Sequence, residues 1–245
     1  MNIFKYLWTK IKNFLYFLLY LFVVIFGAPF LRCKSKGKKN IKKDDEARVF
    51  VANHLEVYGP TVMHLHLPIK KKRFWIIDRM LNKESIEEQM RPGIMNENHF
   101  TWAPKWLKKC ALKLMKGFVY YVLNYRVKNI SVSRDESREI MKTFQQSVLA
   151  LEKKENLVIF PEINYQDKGI SEVYESFAIL GKYYYKKTGK CLSYYPVYID
   201  KDKKVMFIGN AMKYDPNDEN SVKNIVNYTY KTINDFAGIN DNEKV

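Results

Sequence analysis

From Phe14 to Leu31 the chain reads FLYFLLYLFVVIFGAPFL, eighteen residues without a charge. As a helix, such a run rises 1.5 Å per residue and spans about 27 Å, close to the thickness of a bilayer's hydrocarbon core. Beyond it the pattern shortens to runs rich in β-branched and aromatic residues: Arg48–Ala52 (RVFVA), Phe74–Ile77, Leu157–Phe160, Ser193–Ile199 and Val205–Ile208. Runs of this length, bounded by polar residues, predict buried strands. Helical stretches near Arg138–Leu151, Glu172–Lys187 and Ser221–Asp235 lie between or after them. Strands alternating with helices predict an α/β domain with a largely parallel central sheet flanked by helices, preceded by an N-terminal membrane helix. In such sheets the reacting groups sit where strands end and the chain turns into loops and helices.

One further stretch, Trp102 to Arg126, reads as an amphipathic helix. At 100° per residue Lys105, Lys108, Lys109, Lys113 and Lys116 share one face, and Leu107, Ala111, Leu114, Phe118 and Tyr121 the other. With Trp102 and Trp106 beside the lysines, this face suits a headgroup layer. The same apolar stripe also suits packing against the sheet, with the lysines solvated.

Charge changes the picture of the N-terminus. The chain of 245 residues has a formal net charge of +16, which raises nucleic acid as a partner. Yet residues 1–43 contain ten Lys or Arg and no acidic residue, leaving a net +6 for the rest. Concentration of the excess beside an apolar run argues for anionic membrane headgroups as partner and against nucleic acid. Seven basic residues (Arg32, Lys34, Lys36, Lys38, Lys39, Lys42, Lys43) follow the run and three (Lys5, Lys10, Lys12) precede it, which predicts a domain on the cytoplasmic face. A cleaved signal peptide fits poorly, because the run is long and Arg32 stands where small residues would be needed, for lipoprotein processing at Cys33 as well. Gly27 and Pro29 leave open a kinked or re-entrant helix pair lying in one leaflet. The expected division is therefore an anchor with its polybasic segment at 1–43, a domain at 44–237 and a frayed tail at 238–245. Cys33, Cys110 and Cys191 are widely spaced and odd in number, as expected of reduced thiols. The pair His64 and His66 lacks a third ligand at a telling spacing, so no metal is expected.

Candidate chemistry begins after the first strand, at Asn53-His54-Leu55-Glu56-Val57-Tyr58-Gly59-Pro60. Three more blocks follow: Ile130-Ser131-Val132-Ser133-Arg134, Leu157-Val158-Ile159-Phe160-Pro161-Glu162, and Tyr195-Pro196-Val197-Tyr198-Ile199. Together, in this order, they resemble the lysophospholipid and 1-acylglycerol-3-phosphate acyltransferase family over roughly Arg48 to Ile199. The resemblance implies a glycerolipid-acyltransferase-like fold and transfer of a fatty acyl group from acyl-CoA or acyl carrier protein to a lysophospholipid or glycerol-phosphate hydroxyl. It implies no cofactor beyond the donor's own carrier. His54 would be the general base, a role suited to an imidazole that titrates near neutrality. Arg134 would hold the acceptor's phosphate through its guanidinium fork. Arg79, where the family often has a Lys, would be a second phosphate contact, and Asn53, Pro161 and Glu162 would line the acceptor site.

The chain departs from the family where it matters most. Five residues after His54 the family has an Asp that orients the imidazole; here stands Gly59. In a serine-protease triad, losing the equivalent carboxylate lowers turnover by about 10⁴. Glu56 is the preferred stand-in, with Asp78 and Glu162 as other candidates. Ile163-Asn164-Tyr165 replaces Gly-Thr-Arg after Glu162, and Lys128 stands near the second block's usual Gly, which implies a remodelled acceptor pocket. Asn53 and His54 have a plainer reading as a cap for the following helix, Arg134 as a surface residue and Glu162 as a solvated loop acid. Gly59 also keeps open a catalytically silent relative that binds lipids at the membrane surface.

Overall fold

The computed structural model describes residues 3–27, 31–42, 47–96, 101–132, 137–164, 166 and 168–239. In chain order its elements are α1 (Ile3–Phe22), β1 (Lys34–Lys36), β2 (Arg48–Ala52), α2 (Tyr58–His66), β3 (Lys72–Ile77), α3 (Lys83–Met95), α4 (Lys105–Tyr121), β4 (Asn129–Val132), α5 (Ser137–Glu152), β5 (Asn156–Ile159), α6 (Ser176–Thr188), β6 (Ser193–Asp200), β7 (Val205–Ile208), β8 (Met212–Lys213) and α7 (Ser221–Ala237). They fall into two compact units: Met1–Phe30 with Ile76–Asp135, and Leu31–Trp75 with Glu136–Val245.

The larger unit is α/β, with a mostly parallel mixed sheet in the order β1-β7-β6-β2-β5-β3. The centre, β6-β2-β5-β3, is parallel throughout, whereas β7 and β8 run antiparallel to β6. The reason is in the sequence: every residue of β5 and β6 is buried, as near-continuous apolar strands must be when both faces are covered. Pro196 is tolerated inside β6 because it stands where the strand exchanges one antiparallel partner for another. Ser193 and Tyr194 pair with β8, and the pairing with β7 begins at Val197. Tyr194 is wholly buried and donates its hydroxyl to the carbonyls of Phe177 (3.1 Å) and Ala178 (3.2 Å), so its polar tip is satisfied inside the core. Helix α6 starts at Ser176, later than the apolar spacing from Glu172 predicts. Glu172 and Tyr174 are taken instead by backbone bonds with Ile163 (3.0 Å) and Pro161 (2.9 Å).

The smaller unit contains α1, α3, α4 and β4, with the end of β3. Helix α1 is one helix of which Tyr6–Phe26, with a wider π-helical turn past Phe22, is long and apolar enough to span a membrane. Only 6% of that window is buried, which sets it apart from a core helix, although a signal sequence meets the same criterion of length and composition. Helix α3 is absent from the apolar pattern. Its start is nonetheless marked by Asn82, whose side chain accepts from the Glu84 N–H (2.8 Å). Helix α4 corrects the division into a basic and an apolar face. Lys108 is buried and donates to the Asn96 carbonyl (3.0 Å), Lys116 turns inward to pair with Glu87 on α3, and Leu114 is 56% exposed. Burial of Lys108, Leu112, Gly117 and Tyr121 shows that packing against α3 and α1 chose the inward face.

Candidate active site

The parallel register brings two of the sequence blocks side by side. Val51 of β2 pairs with Ile159 of β5, so His54 and Glu162, each three residues further on, emerge together at the carboxyl ends of adjacent strands. There the Glu162 carboxylate accepts the backbone N–H of His54 at 2.8 Å. The His54 ring is exposed and meets Phe160 edge-on, with centroids 5.2 Å apart and planes at 79°. Glu162 itself is buried, and its second oxygen has no hydrogen-bond partner among the described residues. Burial pushes its pKa up to about 7, against the opposing effect of the His54 N–H. A buried carboxyl that holds the backbone of an exposed histidine and titrates near neutrality is the kind of perturbed group found at catalytic sites. The solvated-loop reading of Glu162 is thereby corrected: a bridge from Glu162 to Val173 folds the loop inward.

Asn53 is part of the frame. Its side chain donates to the Ile199 carbonyl (3.1 Å) and accepts from the Ile199 N–H (2.8 Å), continuing the β2–β6 ladder beyond Ala52 and Val197. It therefore does not cap α2, whose cap position is Val57 without a side-chain bond. With both amide ends engaged, Asn53 holds the end of β2 while His54 faces outward. Pro161 is buried, and its carbonyl receives the Tyr174 N–H.

Immediately after His54 the backbone is strained. Leu55 and Glu56 both adopt the left-handed region, with φ of 46° and 50°, a conformation that costs side-chain-bearing residues on the order of 1 kcal/mol or more and that clusters at functional sites. Burial of the Leu55 side chain and the bonds from Tyr58 N–H (3.0 Å) and Gly59 N–H (3.3 Å) to the Leu55 carbonyl hold the turn. Glu56 is exposed and makes no hydrogen bond or ion pair among the described residues. Gly59 has a reason of its own. A Cβ there would lie 2.0 Å from the His54 carbonyl oxygen, so the turn admits no side chain, aspartate included.

At the far end of α2, the Lys72 ammonium donates to the carbonyls of Met63 (3.2 Å), His64 (2.7 Å) and Leu67 (3.2 Å). This cap lies outside the sequence pattern, since nothing local marks a lysine six residues beyond a helix as its terminator. Burial lowers the Lys72 pKa to about 8. Arg79 is exposed in the smaller unit, its own N–H bonded to the Asp78 side chain at 2.7 Å. Arg134 lies outside the described residues, while Ile130–Val132 of the same block form most of β4. A cleft of about 510 Å³ opens at the other end of the strands, lined by Lys38, Arg48, Lys70, Lys71 and Lys154 around Ile41, Pro68, Ile69 and Asn156. It lies at the amino ends of β2, β3 and β5 and so is separate from His54. No protein-family model and no curated protein matches this chain.

Proposed function

We propose that this chain is a membrane-attached acyltransferase of the glycerolipid type, held by its N-terminal helix with the larger unit on the cytoplasmic face. It moves a fatty acyl group from acyl-CoA or acyl carrier protein to the hydroxyl of a lysophospholipid or glycerol phosphate. The observation carrying this reading is the register-matched pair at the carboxyl ends of β2 and β5: an exposed His54 whose backbone is held by a buried Glu162. In the proposed step an imidazole nitrogen of His54 takes the hydroxyl proton as the oxygen attacks the thioester carbonyl. The C–S bond then breaks, and the leaving thiolate recovers the proton from the imidazolium. The second Glu162 oxygen is suited to meet the acceptor's glycerol, and Arg79 and Arg134 are the proposed phosphate contacts. Anionic lipids and the acyl donor's carrier are the expected partners.

Purified full-length protein, given labelled acyl donors and a panel of lysophospholipids, should form diacyl product. His54→Ala should reduce that rate by about 10²- to 10⁴-fold; an unchanged rate would remove His54 as the base.

A second reading, a catalytically silent lipid-binding relative, is favoured by one observation: Gly59 cannot carry the family's aspartate, and Glu56 makes no bond to replace it. Absence of turnover with every donor and acceptor, in protein that still binds lipid vesicles, would select this reading. Turnover that survives Glu56→Gln would leave orientation of His54 to its backbone frame alone.

A further inference from the structure

The smaller unit bears on how the chain meets the membrane, a question that rests on the membrane attachment proposed above. Tyr6–Phe26 is 21 residues long, so Tyr16 is its midpoint and would lie at the bilayer centre if the helix crossed upright. Tyr16 is also where α1 is held by α4. A Cβ on Gly117 would meet the Tyr16 hydroxyl at 1.9 Å, and the Tyr16 ring packs on Phe118 (6.4 Å) and Tyr121 (5.8 Å). Charges accompany that contact. The Lys12 ammonium lies 5.7 Å from the Tyr16 ring centroid, and the Arg126 guanidinium lies 5.1 Å from that of Phe17 and 4.9 Å from that of Tyr20. Lys116, next to Gly117, is paired with Glu87. A crossing α1 would carry all of these within about a helical turn of the bilayer midplane, where charged side chains are strongly disfavoured.

The outer side of α1 has the opposite character. Leu7, Ile11, Phe14, Leu18, Phe22 and Ile25 are 46% to 62% exposed, at spacings of three and four that place them on one stripe. On α4 and its lead-in, Trp102 (77%) and Trp106 (67%) are exposed among the exposed Lys105, Lys109 and Lys113. Apolar stripe, indoles and ammonium groups match the three layers of an anionic leaflet: acyl chains, interface and headgroups.

We propose that α1 does not cross the bilayer. It lies in one leaflet with α4 beside it, Trp102 and Trp106 entering the interface of an anionic membrane, so that the N-terminus and the larger unit stay on the same side.

Two measurements on the full-length chain test this. An epitope tag ahead of Met1 and a second tag after Val245, probed with protease in sealed vesicles, should be digested from the same face. In liposomes with phosphatidylglycerol brominated near the top of its acyl chains, tryptophan fluorescence should be quenched, and Trp102→Phe with Trp106→Phe should remove at least half of the quenching. Tags on opposite faces would overturn the proposal and leave membrane attachment standing. Quenching unchanged in the double variant would overturn the part assigned to α4. Failure of the folded protein to bind liposomes at all would overturn both this inference and the attachment on which it rests.

Discussion

In the larger unit Tyr194, Tyr195, Phe50 and Phe177 are the bulkiest of the fully buried side chains, whereas in the smaller unit Trp8, Phe14, Trp102 and Trp106 are between 59% and 77% exposed. Both units are rich in aromatic residues, so composition does not separate them. Partnership does. Strands β2, β5 and β6 are covered on both faces by their own chain, and apolar side chains there gain their full burial energy on folding. Helix α4 spends one face on α3 and α1, α1 is held at Tyr16, and both leave the rest outward. Contiguous exposed apolar surface of that kind marks a surface fit for a partner, under the inference above a lipid leaflet. The lesson extends to polar groups: the larger unit buries Asn53 and Glu162 and uses them to frame a site, while exposed lysines of the smaller unit stand among exposed indoles.

The contrast breaks most readily at Gly59. Gly59→Asp, which supplies the residue carried by the acyltransferases that the sequence resembles, should destabilise the folded protein by about 3 kcal/mol or more by forcing the backbone off His54. Denaturant unfolding would show it, and a stable Gly59→Asp protein with new activity would mean that the turn yields. Next comes Asn53→Ala, which leaves the Ile199 N–H and carbonyl unpaired in a buried place and should cost about 2 to 3 kcal/mol by the same measurement.

Glu162 gives a smaller and pH-dependent effect. Its carboxyl keeps a proton up to about pH 7, whereas the unfolded chain releases it near the ordinary 4.5. The folded state thus binds more protons between these values, and stability falls as pH rises through that window. Glu162→Gln retains an acceptor for the His54 N–H and cannot ionise, so its melting temperature should gain on that of the native protein between pH 5 and pH 8. A constant difference across that range would mean that Glu162 ionises normally. Smallest of all, Leu15→Ser and Trp106→Ser in the smaller unit should change stability by no more than about 0.5 kcal/mol, because both side chains are exposed. Liposome affinity should fall all the same; a large loss of stability would mean that these positions pack within the protein.

Most of the larger unit was legible along the chain. Strands β2 and β7 run over the residues that their apolar runs predict, and β3, β5 and β6 differ by a residue or two at their ends. Elements with a weak apolar signal were missed: the charged α3 and the short β1 and β8 carry too few apolar residues for periodicity to register. The site was legible in part. His54 and Glu162 stand out as polar residues at the ends of apolar strands, but their adjacency follows from a register between segments 108 positions apart. Side-chain roles followed neither strand pattern nor spacing. Asn53 reads as a cap and is a clamp on β6; Lys72 precedes the Phe74–Ile77 run, carries no signal of its own, and terminates α2.

What the sequence determined by itself is the alternation of strands and helices, the apolar N-terminal helix and the position of an imidazole at a strand end, because these depend on local periodicity and composition. Tertiary structure decided the rest: that Gly59 is closed to any side chain, that Glu162 is buried beside His54, and that Tyr16 is gripped by α4 at the middle of the apolar helix. The last two depend on the distance between segments remote in the chain, since burial and shifted protonation arise only when such segments pack, and the first on how the turn after β2 closes back on the His54 carbonyl.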